Sequence, residues 1–345
     1  MMRLPHFAFH SPRTVREAAD LLASAPPGDA MIVAGGTDLL PNMKRRQQVP
    51  RTLVGLSRVD ELRATSMSTS TDDGLTLGAG LTLSAIVNDP RVRSGYAGLW
   101  QAARQVATPL LRNMGTLGGN LCLDTRCNYY DQNYEWRKAI DFCMKKDGDI
   151  CWVAPSSKRC LAVSSTDTAP ALLALGADVT LVSANATRRI ALADLYRNDG
   201  IEYLTRQPTE ILTTVHLAAA PGWRSTYWKL RRRGAFDFPV LSVAAAARLR
   251  ADGSVEAARI VLGAVASRPV EAPAAGAALA DHPLTDEQIE RAAALAANPA
   301  RPMDNTDFTL LWRKRVTRAF VTYALRELRG DDMRDVRRRI AKQLV

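Results

Sequence analysis

Short apolar runs and apolar positions at helical spacing alternate along the first part of the chain. Apolar runs bounded by polar or glycine residues predict strands at residues 30–34, 51–56, 75–77, 179–182 and 211–217. Helical spacing predicts helices at residues 14–22, 92–106 and 167–175, and Ser11 is the candidate N-cap of the first of these. The third helix is expected to end at Gly176.

The pattern changes near residue 220, where Ala219, Ala220, Pro221 and Gly222 form a plausible linker. Beyond it, strands are expected at 242–249 and 257–264, followed by two alanine-rich helices and a long helix at 307–328 whose apolar positions are typical of core packing. This organisation predicts two domains, at residues 1–220 and 221–345.

Two glycine-rich turns are the first candidates for chemistry. One occupies a strand-to-helix junction and comprises Ile32, Val33, Ala34, Gly35, Gly36, Thr37, Asp38 and Leu39. Paired glycines let backbone N–H groups approach a phosphate, whereas Asp38 would repel an anion and is expected to cap the following helix. A tight turn with no ligand is the alternative interpretation.

A second turn repeats this chemistry with Gly115, Thr116, Gly118, Gly119 and Asn120. Two such turns favour a dinucleotide whose pyrophosphate is held from both sides. The spacing of the glycines around Gly78-Ala79-Gly80 does not complete a nicotinamide-binding fingerprint, because Leu83 stands where a third glycine is needed.

All five cysteines fall within one segment, between Cys122 and Cys160. Cys122 flanks the second glycine turn and is expected to be a small buried hydrophobic residue. The other four are Cys127, Cys143, Cys151 and Cys160, with 15, 7 and 8 residues between neighbours. Four thiolates can hold an iron–sulfur cluster or a zinc ion, and the absence of paired knuckles favours a [4Fe–4S] cluster over zinc or inert thiols.

Composition adds little to these motifs. Hydrophobic residues make up 47% of the 345 residues and the net charge is +11, but the basic runs at 44–46, 231–233 and 337–339 are short and match no nucleic-acid motif. No apolar stretch is long enough to span a membrane, and no signal-peptide core precedes the first helix. A cytoplasmic protein that binds no nucleic acid is therefore expected.

The motifs AGGTDL and TLGGN, followed by the segment at 167–177, resemble the FAD subunits of the xanthine dehydrogenase and carbon monoxide dehydrogenase family. The resemblance implies an α+β fold, in which a two-subdomain FAD-binding α/β region of the vanillyl-alcohol-oxidase-like type precedes a smaller α+β lobe. The cysteine segment splits this pattern as an insertion at 123–161, and it is similar to the insertion in β subunits of 4-hydroxybenzoyl-CoA reductases.

The resemblance also implies site residues. The FAD pyrophosphate is expected across residues 34–38 and 115–120, with Asp167 on the ribityl chain and Leu212 and Lys229 near the isoalloxazine ring. Cys127, Cys143, Cys151 and Cys160 would hold the cluster. In this scheme the chain carries no catalytic residue of its own.

The implied function is electron transfer within a heterohexamer of two heterotrimers. Ferredoxin would reduce the cluster and then FAD, and electrons would continue to a [2Fe–2S] small subunit and a molybdenum-cofactor large subunit that dehydroxylates 4-hydroxybenzoyl-CoA to benzoyl-CoA. The alternatives are the FAD subunit of an ordinary hydroxylase that uses NAD or quinone, and a zinc-stiffened scaffold with no catalytic role.

Overall fold

A small parallel sheet forms the N-terminal part of the protein, whose computed structural model describes residues 3–67 and 74–342. Strands β1 (Ala8–His10), β2 (Ala30–Val33) and β3 (Thr52–Gly55) pair in the order β1-β3-β2, and helices α1 (Val15–Ser24) and α2 (Leu39–Lys44) make the crossovers that parallel strands require. The strands predicted at residues 30–34 and 51–56 are confirmed as β2 and β3. The predicted N-cap was wrong: Thr14, directly before α1, accepts a hydrogen bond from the Glu17 amide at 3.1 Å.

A five-stranded antiparallel sheet follows. It comprises β4 (Thr65–Met67), β5 (Leu75–Gly78), β6 (Asp178–Val182), β7 (Thr187–Ala191) and β8 (Ile211–Leu217), in the order β4-β5-β8-β6-β7. Short helices cover it: α3 (Leu83–Asn88), α4 (Pro90–Gly95), α5 (Ala97–Arg104), α6 (Pro109–Arg112), α7 (Leu117–Leu121) and α9 (Thr168–Ala174), with α8 (Tyr134–Ala139) lying in the cysteine insertion. The predicted strands at 75–77, 179–182 and 211–217 are confirmed, as is the end of the third predicted helix at Gly176, whose φ is +73°.

The single helix expected at 92–106 is two helices, α4 and α5. They are separated by Tyr96, whose backbone is not helical (φ −134°, ψ 56°). The Tyr96 side chain is buried, and its hydroxyl donates to the Ala218 carbonyl at 3.0 Å. Burying this ring and satisfying its hydroxyl outweigh the local preference for a continuous helix.

The C-terminal sheet contains β9 (Trp223–Leu230), β10 (Leu241–Leu249), β11 (Val255–Gly263) and β12 (Val270–Glu271), all antiparallel. Helices α10 (Pro273–Leu279), α11 (Asp286–Ala297), α12 (Leu310–Arg329) and α13 (Arg334–Ala341) complete this region. Alternate residues of β10 face opposite sides: Ala244 and Ala246 join the core of the preceding region, whereas Val243 and Ala245 pack with α11 and α12. The sheet therefore joins the two regions through a continuous apolar face.

The cysteine insertion leaves and re-enters the fold at one place. Arg126 and Val163 exchange backbone hydrogen bonds of 2.8 and 2.7 Å, which closes the base of the insertion. The Asn305 carbonyl accepts from the Asn128 amide at 2.8 Å, so the C-terminal region also supports the insertion. Among the described residues, no helix combines the length and apolarity needed to cross a bilayer.

Candidate cofactor site

The two glycine-rich turns lie against each other. A Cβ atom at Gly35 would stand 1.9 Å from the Met114 carbonyl oxygen, so this contact requires glycine. A Cβ atom at Gly115 would stand 3.6 Å from the Thr37 hydroxyl oxygen. The motifs are about 80 residues apart in sequence, and the fold brings them into one place as the sequence predicted.

Free amides are concentrated in the first turn. Within residues 3–67 and 74–342, the amide groups of Gly35, Gly36, Thr37 and Asp38 donate no hydrogen bond to the protein. Gly36 has a φ of +69°, a conformation that glycine adopts without steric cost. Consecutive free N–H groups at such a turn form a nest suited to an anion such as a pyrophosphate.

The second turn uses its amides differently from the first. Leu117 donates to the Leu81 carbonyl at 2.9 Å, Gly118 to the Ala79 carbonyl at 2.8 Å and Gly119 to the Thr116 hydroxyl at 3.0 Å. These bonds hold the turn against the segment after β5. Of the two turns, only the first presents a row of amides that donate to no other group within the described residues.

The side chain of Asn120 is also engaged within the protein. Its Oδ1 atom accepts from the Thr166 hydroxyl at 2.9 Å and from the Thr168 amide and hydroxyl at 3.0 and 2.7 Å. Asn120 therefore ties the second turn to the start of α9, which is the segment that carries Asp167.

Asp38 does not cap α2 as predicted. It occupies the N-cap position, but its side chain makes no bond to a helix amide. Its carboxylate instead accepts from the Arg126 guanidinium and from Asn42 Nδ2, the latter at 3.3 Å. Arg126 also pairs with Asp131 at 3.2 Å, and Asp131 in turn accepts from the Cys127 amide at 3.3 Å. A chain of charged contacts thus joins the first glycine turn to the first cysteine of the insertion.

Asp167 and Lys229 form a buried ion pair. The Lys229 Nζ atom lies 3.0 Å from Asp167 Oδ2 and 3.1 Å from the Gln105 carbonyl, and the Tyr227 hydroxyl donates to Asp167 Oδ1 at 2.6 Å. Burial raises the pKa of the Asp167 carboxyl and lowers the pKa of the Lys229 ammonium, while the pairing opposes both shifts. Leu212 packs in the apolar core beside β5 and β6.

The four cysteines of the insertion line one cavity. Cys127, Cys143, Cys151 and Cys160 are all free thiols and only 5–7% exposed. Burial raises the pKa of Cys127 to about 12 and that of Cys160 to about 11. Cys122 lies outside this cavity, and its partly buried side chain packs against the core around the five-stranded sheet. Its expected role as a small packing residue agrees with this position.

Tight backbone turns hold the cysteines in place. The Cys143 carbonyl accepts from the Lys146 and Gly148 amides at 2.9 and 3.1 Å, and the Cys160 sulfur accepts from the Ala162 amide at 3.4 Å. Gly200 approaches so closely that a Cβ atom there would stand 2.6 Å from Cys160 Sγ. In the described ranges, no three histidine, cysteine, aspartate or glutamate side chains converge around a single metal-ion position.

Several residues of this site were not identified from the sequence. Arg126 contacts both the glycine turn and the insertion, and Lys145 lines the cysteine cavity while pairing with Asp124 at 2.8 Å. Gly200 lies on a segment with no recognisable motif. Each acts through partners distant in the chain, so no local pattern signals its role.

Two family models together match most of the chain. The FAD binding domain in molybdopterin dehydrogenase matches residues 5–219, and the CO dehydrogenase flavoprotein C-terminal domain matches residues 225–328. The aldehyde oxidoreductase FAD-binding subunit PaoB of Escherichia coli is 35% identical over 79% of this chain and 86% of its own length. The nicotinate dehydrogenase FAD-subunit of Eubacterium barkeri is 25% identical over 89% of this chain and 91% of its own length.

Solved structures agree with these matches. A chain of carbon monoxide dehydrogenase from Hydrogenophaga pseudoflava aligns with a TM-score of 0.77 and 25% identity, covering 94% of this chain and 97% of that chain. The α+β architecture expected from the sequence, an FAD-binding region followed by a CO dehydrogenase flavoprotein C-terminal domain, is confirmed. The protein belongs to the FAD-binding subunits of the xanthine and carbon monoxide dehydrogenase family of molybdenum hydroxylases.

Proposed function

We propose that this chain is an electron-transfer subunit that binds FAD at the two glycine turns and a [4Fe–4S] cluster at Cys127, Cys143, Cys151 and Cys160. The observation that carries this proposal is the set of four buried thiols around one cavity. The insertion that bears them is tied through Arg126 to Asp38, at the end of the first glycine turn. Both cofactor sites therefore belong to one connected unit.

The first glycine turn suits the FAD pyrophosphate. Four consecutive free amides can donate to phosphate oxygens, and Arg126 offsets the negative charge that Asp38 would otherwise present beside them. Lys229 and Asp167 are buried as a pair, so their proposed role is to support the flavin site through β9 and α9. When bound, FAD supplies one- and two-electron redox chemistry, and this chain supplies the binding and electrostatic environment.

The insertion suits a cluster held by four cysteines. Four thiolates are the usual ligand set of a [4Fe–4S] cluster, which supplies one-electron transfer when bound. A zinc ion instead draws its thiolates to about 2.3 Å from a single centre, and such sites usually use paired knuckles that this insertion lacks. Metal-free thiols and a zinc site are the two outcomes that would contradict the cluster.

The chain would act inside a larger assembly. Two relatives are medium chains of carbon monoxide dehydrogenases, from Hydrogenophaga pseudoflava and Afipia carboxidovorans. We place a [2Fe–2S] small subunit and a molybdenum-cofactor large subunit beside this chain, in a heterohexamer of two heterotrimers in the cytoplasm. A net charge of +11 favours an acidic electron carrier such as ferredoxin as the donor.

The substrate reaction belongs to the large subunit. The similarity of the insertion to that of 4-hydroxybenzoyl-CoA reductases supports reductive dehydroxylation, in which two electrons and two protons release the phenolic hydroxyl as water and leave benzoyl-CoA. A second candidate is aldehyde oxidation with electrons flowing in the opposite direction, favoured by the relative of 35% identity, which is an aldehyde oxidoreductase subunit.

An assay of the purified complex separates the two candidates. Reduced ferredoxin with 4-hydroxybenzoyl-CoA should yield benzoyl-CoA if the chain feeds a dehydroxylase. Reduction of an electron acceptor by an aromatic aldehyde, without turnover of the thioester, would replace that assignment with aldehyde oxidation. Rapid reduction of FAD by NADH in a complex without iron in this chain would instead identify an ordinary hydroxylase subunit.

A further inference from the structure

Lys145 is a buried cation in the wall of the cysteine cavity. Its side chain is 6% exposed, and its Nζ atom lies 2.8 Å from Asp124 Oδ1, 3.0 Å from the Thr125 carbonyl and 2.9 Å from the Gly200 carbonyl. The Thr125 hydroxyl oxygen is a fourth contact of the same Nζ atom. An ammonium group can only donate, and every one of its N–H groups has an oxygen acceptor within reach here.

Of the two residues in this ion pair, Lys145 lines the cavity and Asp124 does not. Lys145 lines it together with the four cysteines and Tyr130, and the Lys145 Nζ atom lies 4.5 Å from the centre of the Tyr130 ring. The second oxygen of Asp124 accepts from the Tyr130 hydroxyl at 3.0 Å and from Gln48 Nε2 at 3.3 Å. These donors offset the negative charge of Asp124, whereas within residues 3–67 and 74–342 the ammonium contacts no second carboxylate.

Gly200 connects Lys145 to a cysteine. Its carbonyl accepts from Lys145, and its Cα lies so near Cys160 that an added Cβ atom would stand 2.6 Å from the sulfur. Gly200 therefore contacts both the cation and the sulfur that would bind iron.

The next residue offers a comparison within the same turn. Lys146 pairs with Asp147 at 3.1 Å, and its side chain is 29% exposed. Lys146 is not among the residues that line the cysteine cavity. Water screens a charge in that position far more than a charge buried beside the cavity.

We infer that Lys145 is a positioning residue that raises the reduction potential of the cluster held by the four cysteines, an inference that rests on the proposed function. Each reduction adds one negative charge to the site. A fixed positive charge in a medium of low dielectric constant stabilises the reduced form more than the oxidised form. Lys145 would thereby make it easier for an electron to enter this chain.

The test is a redox titration of the holoenzyme, followed through the low-temperature electron paramagnetic resonance signal of the reduced four-iron cluster. We expect Lys145→Met to lower the reduction potential of the cluster by about 59 mV or more, which is a tenfold shift of a one-electron equilibrium toward the oxidised form. Lys146→Met removes an equal charge from the neighbouring, more exposed position and should change the potential much less. Asp124→Asn removes the opposing charge and should shift the equilibrium toward the reduced form.

The outcomes are distinct. An intact cluster in Lys145→Met whose potential matches that of Lys146→Met overturns the inference and leaves the proposed function standing. If Lys145→Met fails to retain iron, the Asp124→Asn variant is the test. A reduction potential more positive than that of wild type supports the inference, and an unchanged potential overturns it. Wild-type holoenzyme with no iron in this chain overturns the proposed function and this inference together.

Discussion

The Arg126 guanidinium binds the Asp38 carboxylate, although the two residues are 88 positions apart in the chain. Asp38 ends the first glycine turn, and Arg126 directly precedes the first cysteine of the insertion. The same guanidinium pairs with Asp131, whose carboxylate accepts from the Cys127 amide. One side chain therefore couples the geometry of the proposed flavin site to that of the proposed cluster site.

Replacing Arg126 with methionine should weaken FAD binding about tenfold or more. The substitution leaves the Asp38 charge without its guanidinium partner beside the amides that would receive the pyrophosphate, and an unpaired charge of this kind costs about 2 kcal/mol. The measurement is the dissociation constant of FAD, followed by flavin fluorescence. Lys158→Met is the matched control, because Lys158 is an exposed cation in the same insertion. Equal FAD affinity in both variants would contradict the role assigned to Arg126.

Gly35→Ala should abolish stoichiometric FAD binding. The new Cβ atom would stand 1.9 Å from the Met114 carbonyl oxygen, so the two glycine turns would have to separate. Gly95→Ala is a suitable control, since a Cβ atom there meets no atom within 4 Å. The flavin absorbance per chain after gel filtration reports the result. A Gly35→Ala protein with a full complement of FAD would show that the contact between the turns is dispensable.

Lys229→Met should destabilise the protein by about 3–5 kcal/mol, because it leaves the buried Asp167 carboxylate without its positively charged partner. Asp167 already has a raised pKa from burial, and loss of its cation raises that pKa further. A carboxyl whose pKa is higher in the folded state stabilises the fold at low pH and loses that contribution as pH rises through the folded-state value. The destabilisation should therefore be larger at about pH 8 than at about pH 5.

Denaturant unfolding of wild type and Lys229→Met at both pH values measures this difference. The double variant Lys229→Met with Asp167→Asn removes the stranded charge and should recover part of the lost stability at the higher pH. A loss of stability that is independent of pH and unaffected by Asp167→Asn would mean that Lys229 contributes through packing alone.

Gly200→Ala should reduce the iron content of the purified chain by half or more while FAD is retained. Its Cβ atom would stand 2.6 Å from the Cys160 sulfur and 2.8 Å from the Ala162 amide nitrogen. The displaced sulfur would no longer complete the ligand set. Iron and flavin assays on the same preparation separate this local effect from unfolding, which would remove both cofactors.

The sequence predicted those features that depend on neighbouring residues. Strand β8 has the predicted limits at Ile211–Leu217, because its residues are mostly β-branched or apolar and favour an extended strand locally. The two glycine turns were also recognisable, because phosphate-type turns need glycines within a few positions. The sequence predicted that the two turns share a ligand, but it did not predict the direct contact between Gly35 and Met114.

Features that depend on tertiary contacts were missed. Tyr96 interrupts a helical pattern because its hydroxyl reaches Ala218, which lies 122 positions away. Asp38 was expected to cap α2, but Arg126 competes successfully for its carboxylate. Lys145 and Lys146 are adjacent lysines in the sequence, and only the fold shows that the side chain of Lys145 is buried while that of Lys146 is partly exposed.

The central claim is that four cysteines of this chain hold a [4Fe–4S] cluster next to FAD. The most direct test is the content of iron, acid-labile sulfide, zinc and flavin per chain, after purification without oxygen, in wild type and in serine variants of each cysteine. The account predicts about four iron and four sulfide with one FAD. It further predicts that Cys127→Ser, Cys143→Ser, Cys151→Ser and Cys160→Ser lose iron, whereas Cys122→Ser retains it. One FAD with no iron, or one zinc without sulfide, would contradict it.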